Sequence, residues 1–184
     1  MSLGKTTVIA AIIDTLIKQT EGETIWVIAQ SNVAVKNIAE KLDSCKFKDF
    51  RLLVSGEFIN DWQVDYYLFV IVDLTSFRHD HLYTKIKNQV ICSDDFDRNK
   101  KKTREDLGTA RVILCTLSMM SGNKVISSGF SELVPVETLI VDEASQVEIG
   151  DYLIPLSRFY NTLQKIIFIG DDKQCMCSLF PCMI

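Results

Sequence analysis

Short apolar runs rich in β-branched residues recur along this chain, and each stops at a compact polar cluster. Ile25 to Ala29 is followed by Gln30-Ser31-Asn32, and Val112 to Cys115 by Thr116-Leu117-Ser118. Leu139 to Val141 runs into Asp142-Glu143, and Ile166 to Ile169 into Gly170-Asp171-Asp172-Lys173-Gln174. Runs of this length, ended by polar residues, fit strands buried on both faces. A further short strand is expected at Arg51 to Val54, stopped by Gly56.

Between these runs the period changes. Val8, Ile9, Ile12, Ile13, Leu16 and Ile17 recur at helical spacing, with Gly22 just past the expected end. Ser31 or Asn32 offers an N-cap to a second helix whose apolar face is Val35, Ile38, Ala39 and Leu42. Tyr152, Leu153, Leu156 and Phe159 fit a covering helix before the last strand. Strands alternating with helices predict a parallel sheet with helices on both faces, a three-layer α/β domain. In such a sheet every polar cluster collects at the carboxyl edge, where open α/β folds bind ligands. Gly4-Lys5-Thr6, opening the first helix, would join them there.

From Glu57 to Thr109 the pattern loosens. This segment has aromatic residues between Trp62 and Phe69, an expected helix near Leu82 to Val90, and a charged stretch from Asp94 to Asp106. It reads as an irregular insertion at about 57–109 in one domain covering 1–184. Arg98, Lys100, Lys101, Lys102 and Arg104 form its basic run, but Asp94, Asp95, Asp97, Glu105 and Asp106 surround it, so it reads as a solvated mixed-charge surface. His79 and His81 lack a carboxylate or Cys partner and read as surface residues.

Composition narrows the class. A chain of 184 residues with 47% hydrophobic content, 3 Pro and 8 Gly can bury a sizeable core. A net charge of −4 argues against holding nucleic acid by bulk electrostatics, so any such contact must be local. The 6 cysteines are irregularly spaced and lack a paired CxxC pattern, which favours reduced thiols in an intracellular protein. Cys175, Cys177 and Cys182 lack the fourth ligand of a zinc site. Asp14 interrupts the apolar run near the N-terminus and no cleavage site follows, and Tyr66 to Val72 falls short of the roughly 20 residues that span a bilayer. A soluble protein of the cytoplasm or nucleus is expected.

The chemistry lies in two pieces. Gly4-Lys5-Thr6 matches the tail of the phosphate-binding loop G-x-x-x-x-G-K-[ST], whose backbone N–H groups cradle phosphates while the lysine reaches them and the hydroxyl binds magnesium. An ordinary helix start with an exposed lysine gives the same tripeptide. Asp142-Glu143 at a strand end supplies a carboxylate for magnesium and a second one to position and deprotonate an attacking water. Lys5 would place positive charge on the transferred phosphate, and Gln174 could sense it.

In this arrangement the chain resembles the first RecA-like domain of superfamily 1 helicases, of the group containing the nonsense-mediated-decay RNA helicase. The matching segments are Gly4-Lys5-Thr6-Thr7, Val27 to Val35, Ala110 to Ser118, Val141 to Gln146 and Ile169 to Gln174. The resemblance implies ATP and Mg²⁺ as ligands, with Gly4, Lys5, Thr6 and Thr7 around the phosphates, Thr6 and Asp142 on magnesium, Glu143 catalytic, and Gln174 coupling the γ-phosphate to strand movement. It also implies that Ser31, Asn32, Thr116 and Ser118 touch the backbone of single-stranded RNA or DNA. Short hydroxyl and amide side chains can hold phosphates without reading bases, although the same residues also suit helix capping.

Against the family pattern, the strand and glycine-rich turn expected before Gly4 are missing, and Cys175-Met176-Cys177 stands where the family has Leu-Pro-Pro. A second RecA-like lobe is expected in the intact protein, so the chain reads as a fragment. A truncated, non-catalytic paralogue that binds nucleotide or nucleic acid is the alternative, and an unrelated P-loop ATPase or kinase a further one.

Overall fold

The computed structural model describes residues 3–60, 62 and 85–170. Its strands are β1 (Ile25–Ala29), β2 (Phe50–Val54), β3 (Val90–Cys92), β4 (Val112–Thr116), β5 (Thr138–Val141) and β6 (Lys165–Phe168). They form one sheet in the order β3-β2-β4-β1-β5-β6, with every neighbouring pair parallel. The helices are α1 (Leu3–Gln19), α2 (Asn32–Ser44), α3 (Lys100–Leu107), α4 (Leu117–Ser121), α5 (Asn123–Ser127), α6 (Phe130–Leu133) and α7 (Leu153–Phe159). The expected α/β class, a parallel sheet covered on both faces, is what the chain adopts.

Alternation along the strands explains the layers. Ile25, Val27 and Ala29 of β1 face one side and pack with Val112 and Leu114, Phe50 and Leu52, and Ile140 against Ile9 and Ile13 of α1 and Val35, Ile38 and Leu42 of α2. Trp26 and Ile28 face the other side, with Ile113, Cys115, Leu139 and Val141, beneath Leu107, Met120, Val125, Phe130 and Phe159. β1 is buried at all of its residues, as a central parallel strand must be. Within this second layer the Trp26 indole N–H donates to the Val134 carbonyl at 3.0 Å, satisfying both groups in the interior.

The strand boundaries expected from the apolar runs hold to within about a residue. The segment between β2 and β4 differs. Of the helix expected near Leu82 to Val90, only 85–90 is described: it is helical at 85–86, turns as a 3₁₀ helix at Lys87–Gln89, and extends at Val90. The later part of the looser segment therefore adds β3 beside β2 and places α3 over the second core layer through buried Leu107. A run of three residues with one fully apolar face gives little period to read, so only pairing with β2 reveals it as a strand. The charged stretch is surface, as expected, with Lys100 paired to Glu132 and the Lys102 ammonium on the Asp95 carbonyl at 3.1 Å. His79, His81 and the Cys175 cluster lie outside the described residues. Among the described residues no helix is long and apolar enough to cross a membrane.

Candidate functional site

Register builds the site. β1 lies between β4 and β5, with Ala29 opposite Thr116 and Ile28 opposite Val141. The ladder runs one step further, because the Asp142 N–H donates to the Ile28 carbonyl at 2.8 Å. Gln30 to Asn32, Thr116 to Ser118 and Asp142-Glu143 thus emerge side by side at the carboxyl edge of three adjacent strands. β6 extends the row, since Ile169 donates to the Val141 carbonyl at 2.8 Å.

Asp142 is the buried acid of this edge, only 6% exposed. Burial pushes its carboxyl above the ordinary range, opposed by the Glu143 N–H and by the positive charge of Lys5. Lys5, in the first turn of α1, is the cation whose charge acts on Asp142. Gly4, Lys5, Thr6 and Thr7 all lie in that turn, at the positive end of a 17-residue helix. No side chain or backbone crowds Gly4.

Glu143 occupies a left-handed backbone conformation, φ 54 and ψ 35. This is uncommon for a residue with a side chain and signals stored strain. Its N–H donates to the Asp142 Oδ1 at 2.9 Å, and its carbonyl accepts from Gln146 at 2.8 Å, closing the turn Ala144–Gln146. The turn is fastened to β6 by the Ala144 N–H on the Ile169 carbonyl at 3.0 Å. Gly170 passes so close that a Cβ there would lie 3.1 Å from the Ser145 nitrogen.

Two of the four residues expected on a nucleic-acid strand, Ser31 and Thr116, are helix caps. Ser31 is the N-cap of α2, its Oγ accepting from the Ala34 N–H at 3.1 Å, and Thr116 caps α4, accepting from Met119 at 3.2 Å. Ser31 and Ser118 remain exposed and Asn32 half-buried. Gln174 lies outside the described residues.

Tyr152 is a site neighbour whose polar contact the sequence did not reveal. Expected on the apolar face of a covering helix, it packs on the second core layer at the N-cap of α7, where it also ends the 3₁₀ turn Ile149–Tyr152. Its hydroxyl donates to the Ala144 carbonyl at 3.2 Å. An aromatic residue at helical spacing carries no sign of a polar contact made by its tip, so nothing in the sequence marked it.

A divalent ion would fit this donor set in one way only. Among the described residues no group of three His, Cys, Asp or Glu side chains gathers. A single buried carboxylate, Asp142, suits magnesium held mainly by water and phosphate oxygens, not an all-protein cage.

Comparison with known proteins agrees with this fold. The family model described as AAA domain matches residues 78–177. Regulator of nonsense transcripts 1 of Caenorhabditis elegans is 25% identical over 98% of the chain, and the Regulator of nonsense transcripts 1 homolog of Arabidopsis thaliana 27% over 93%. The 3'-5' exoribonuclease HELZ2 of Mus musculus is 31% identical over 40% of the chain. The chain spans 16%, 14% and 2% of these relatives' lengths. They bear out the resemblance to the nonsense-mediated-decay group of superfamily 1. The chain belongs to the AAA-domain family, as a helicase-type ATPase domain with the RecA-like α/β fold.

Proposed function

We propose that this domain binds ATP with Mg²⁺ and hydrolyses it, and that in the intact protein hydrolysis drives movement along single-stranded RNA or DNA. The observation that carries the reading is the parallel register that brings Gln30 to Asn32, Thr116 to Ser118 and Asp142-Glu143 to one sheet edge, with the Asp142 carboxylate buried there. The relatives named for the regulation of nonsense transcripts support RNA as the strand.

In this reading the first-turn N–H groups at Gly4, Lys5, Thr6 and Thr7 face the phosphates and Lys5 neutralises their charge. Thr6 and Asp142 would hold magnesium, which when bound offsets charge on the phosphate oxygens. Glu143, half-buried at the turn beside Asp142, orients the attacking water and takes its proton. Its strained backbone keeps the carboxylate at a fixed place on the edge. Gln174, following β6, reports the γ-phosphate to the strand contacts. Ser31, Asn32, Thr116 and Ser118 hold the sugar-phosphate backbone while the caps at Ser31 and Thr116 fix the loops that present them. A second RecA-like lobe would close over the nucleotide. The unpaired thiols of Cys45, Cys92 and Cys115 support a reducing compartment, the cytoplasm or nucleus.

ATP binding and turnover, with and without single-stranded RNA or DNA, test the proposal on the unmodified chain, Lys5→Ala and Glu143→Gln. Lys5→Ala is expected to lose nucleotide affinity. Glu143→Gln is expected to keep it while turnover drops by about 10²–10⁴-fold. No measurable nucleotide binding by the unmodified chain would overturn the ATPase reading and leave a non-catalytic module.

A further inference from the structure

The turn that carries Glu143 is gripped from two sides. On one side the Ala144 N–H reaches the Ile169 carbonyl at the end of β6. On the other the Ala144 carbonyl accepts the Tyr152 hydroxyl at 3.2 Å, and its bond from the Val147 N–H is long at 3.4 Å. Tyr152 supplies the second fastening of a peptide that the backbone alone holds weakly. Its ring also meets Phe168 edge-on, with centroids 5.6 Å apart and planes at 82°. Phe168 is the last residue of β6, so a single side chain touches both the turn after β5 and the strand beside it.

We propose that Tyr152 is a positioning residue for hydrolysis, its hydroxyl holding the Ala144 carbonyl and its ring holding Phe168, so that the turn carrying Glu143 and the end of β6 are held as one unit. The inference rests on the ATPase reading above. The physical basis is leverage at a strained point. Glu143 sits next to Ala144 in a left-handed conformation that survives only where its surroundings over-determine it. Removing one restraint from the Ala144 peptide lets Glu143 relax toward an ordinary conformation and swings its carboxylate off the water. Nucleotide contacts made by Lys5 and the first turn of α1 involve neither Ala144 nor Tyr152, so binding should persist while turnover falls.

The test uses the whole chain with Tyr152→Phe, which keeps the ring and removes only the hydroxyl, and Phe168→Leu, which keeps the hydroxyl and removes the ring contact. Two readouts are taken: amide exchange at Ala144 and Gln146, and ATP turnover split into kcat and KM. In Tyr152→Phe, exchange at both amides should rise and kcat fall, each by about three- to tenfold, with KM within about twofold of the unmodified chain. Phe168→Leu should shift both in the same direction, and exchange at Leu114 in the central strand should not change in either variant. Unchanged exchange in Tyr152→Phe would overturn the tether. Faster exchange with unchanged kcat would overturn its role in hydrolysis. Absence of turnover in the unmodified chain would remove that role together with the ATPase reading, a failure that the exchange data separate from loss of the tether.

Discussion

The Asp142 carboxylate accepts the N–H of the next residue, Glu143, at 2.9 Å, and Glu143 adopts φ 54 to give it. One acid thereby fixes the backbone of the other at the end of β5. A left-handed conformation costs a residue with a Cβ about 1–2 kcal/mol, while glycine takes it freely but loses about 0.5–1 kcal/mol of chain entropy on folding. Glu143→Gly should therefore match or exceed the unmodified chain in stability by up to about 1 kcal/mol, a rise of about 2–4 °C in Tm at most, while ATP turnover is lost. Thermal unfolding beside a turnover assay checks this; a clear fall in Tm would mean the turn is not strained.

Asp142 and Glu23 should give opposite pH slopes. Burial raises the Asp142 carboxyl, and the Glu143 N–H and Lys5 oppose it only partly. A carboxyl raised in the folded state favours folding most below its unfolded pKa, and that contribution fades as pH climbs through the folded pKa. For Glu23, burial pushes upward but is outweighed by hydrogen bonds, among them the Thr138 hydroxyl at 2.6 Å and Lys165 at 3.2 Å, so its pKa is lowered. Its contribution is full above the unfolded pKa and is lost as pH falls through the folded one. In denaturant titrations between about pH 3 and pH 8, Asp142→Asn should gain stability toward neutral pH, since the amide oxygen still accepts from Glu143 without a buried charge. Glu23→Gln should lose stability over the same range.

Capping and strand contact can be separated at Ser31. Ser31→Ala removes the acceptor for Ala34 and should cost about 0.5–2 kcal/mol, and Thr116→Ala about the same at α4. Ser31→Asp keeps a good cap and adds a negative charge, so stability should hold while affinity for a single-stranded oligonucleotide falls. Equal oligonucleotide affinity in Ser31→Asp and the unmodified chain would restrict Ser31 to capping.

Trp26 ties the second core layer together. Trp26→Phe leaves the Val134 carbonyl without its indole partner in the interior and should lower stability by at least about 1–3 kcal/mol, read from the denaturant midpoint. A change within about 0.5 kcal/mol would show that Val134 finds another donor.

Much of the scaffold was legible because it obeys local rules. The runs at Ile25 to Ala29 and Val112 to Cys115 are apolar at every position, which suits only strands covered on both sides, and Ser31 before Val35 and Ile38 marks a helix start. β3 was hidden because three residues carry no period of their own, and its place is set by β2 beside it.

By itself, then, the sequence determined the alternation of strands and helices, the polar clusters at the strand ends, and the residue types for phosphate and proton chemistry. Only the tertiary structure decided their relations: parallel register set Asp142 level with the ends of β1 and β4, burial raised its pKa, and the charge of Lys5 reached it. It alone gave Glu143 its left-handed backbone and gave Tyr152 the Ala144 carbonyl. Residue pattern records which side of an element is apolar, whereas strain, desolvation and contacts between distant residues arise only when the elements pack.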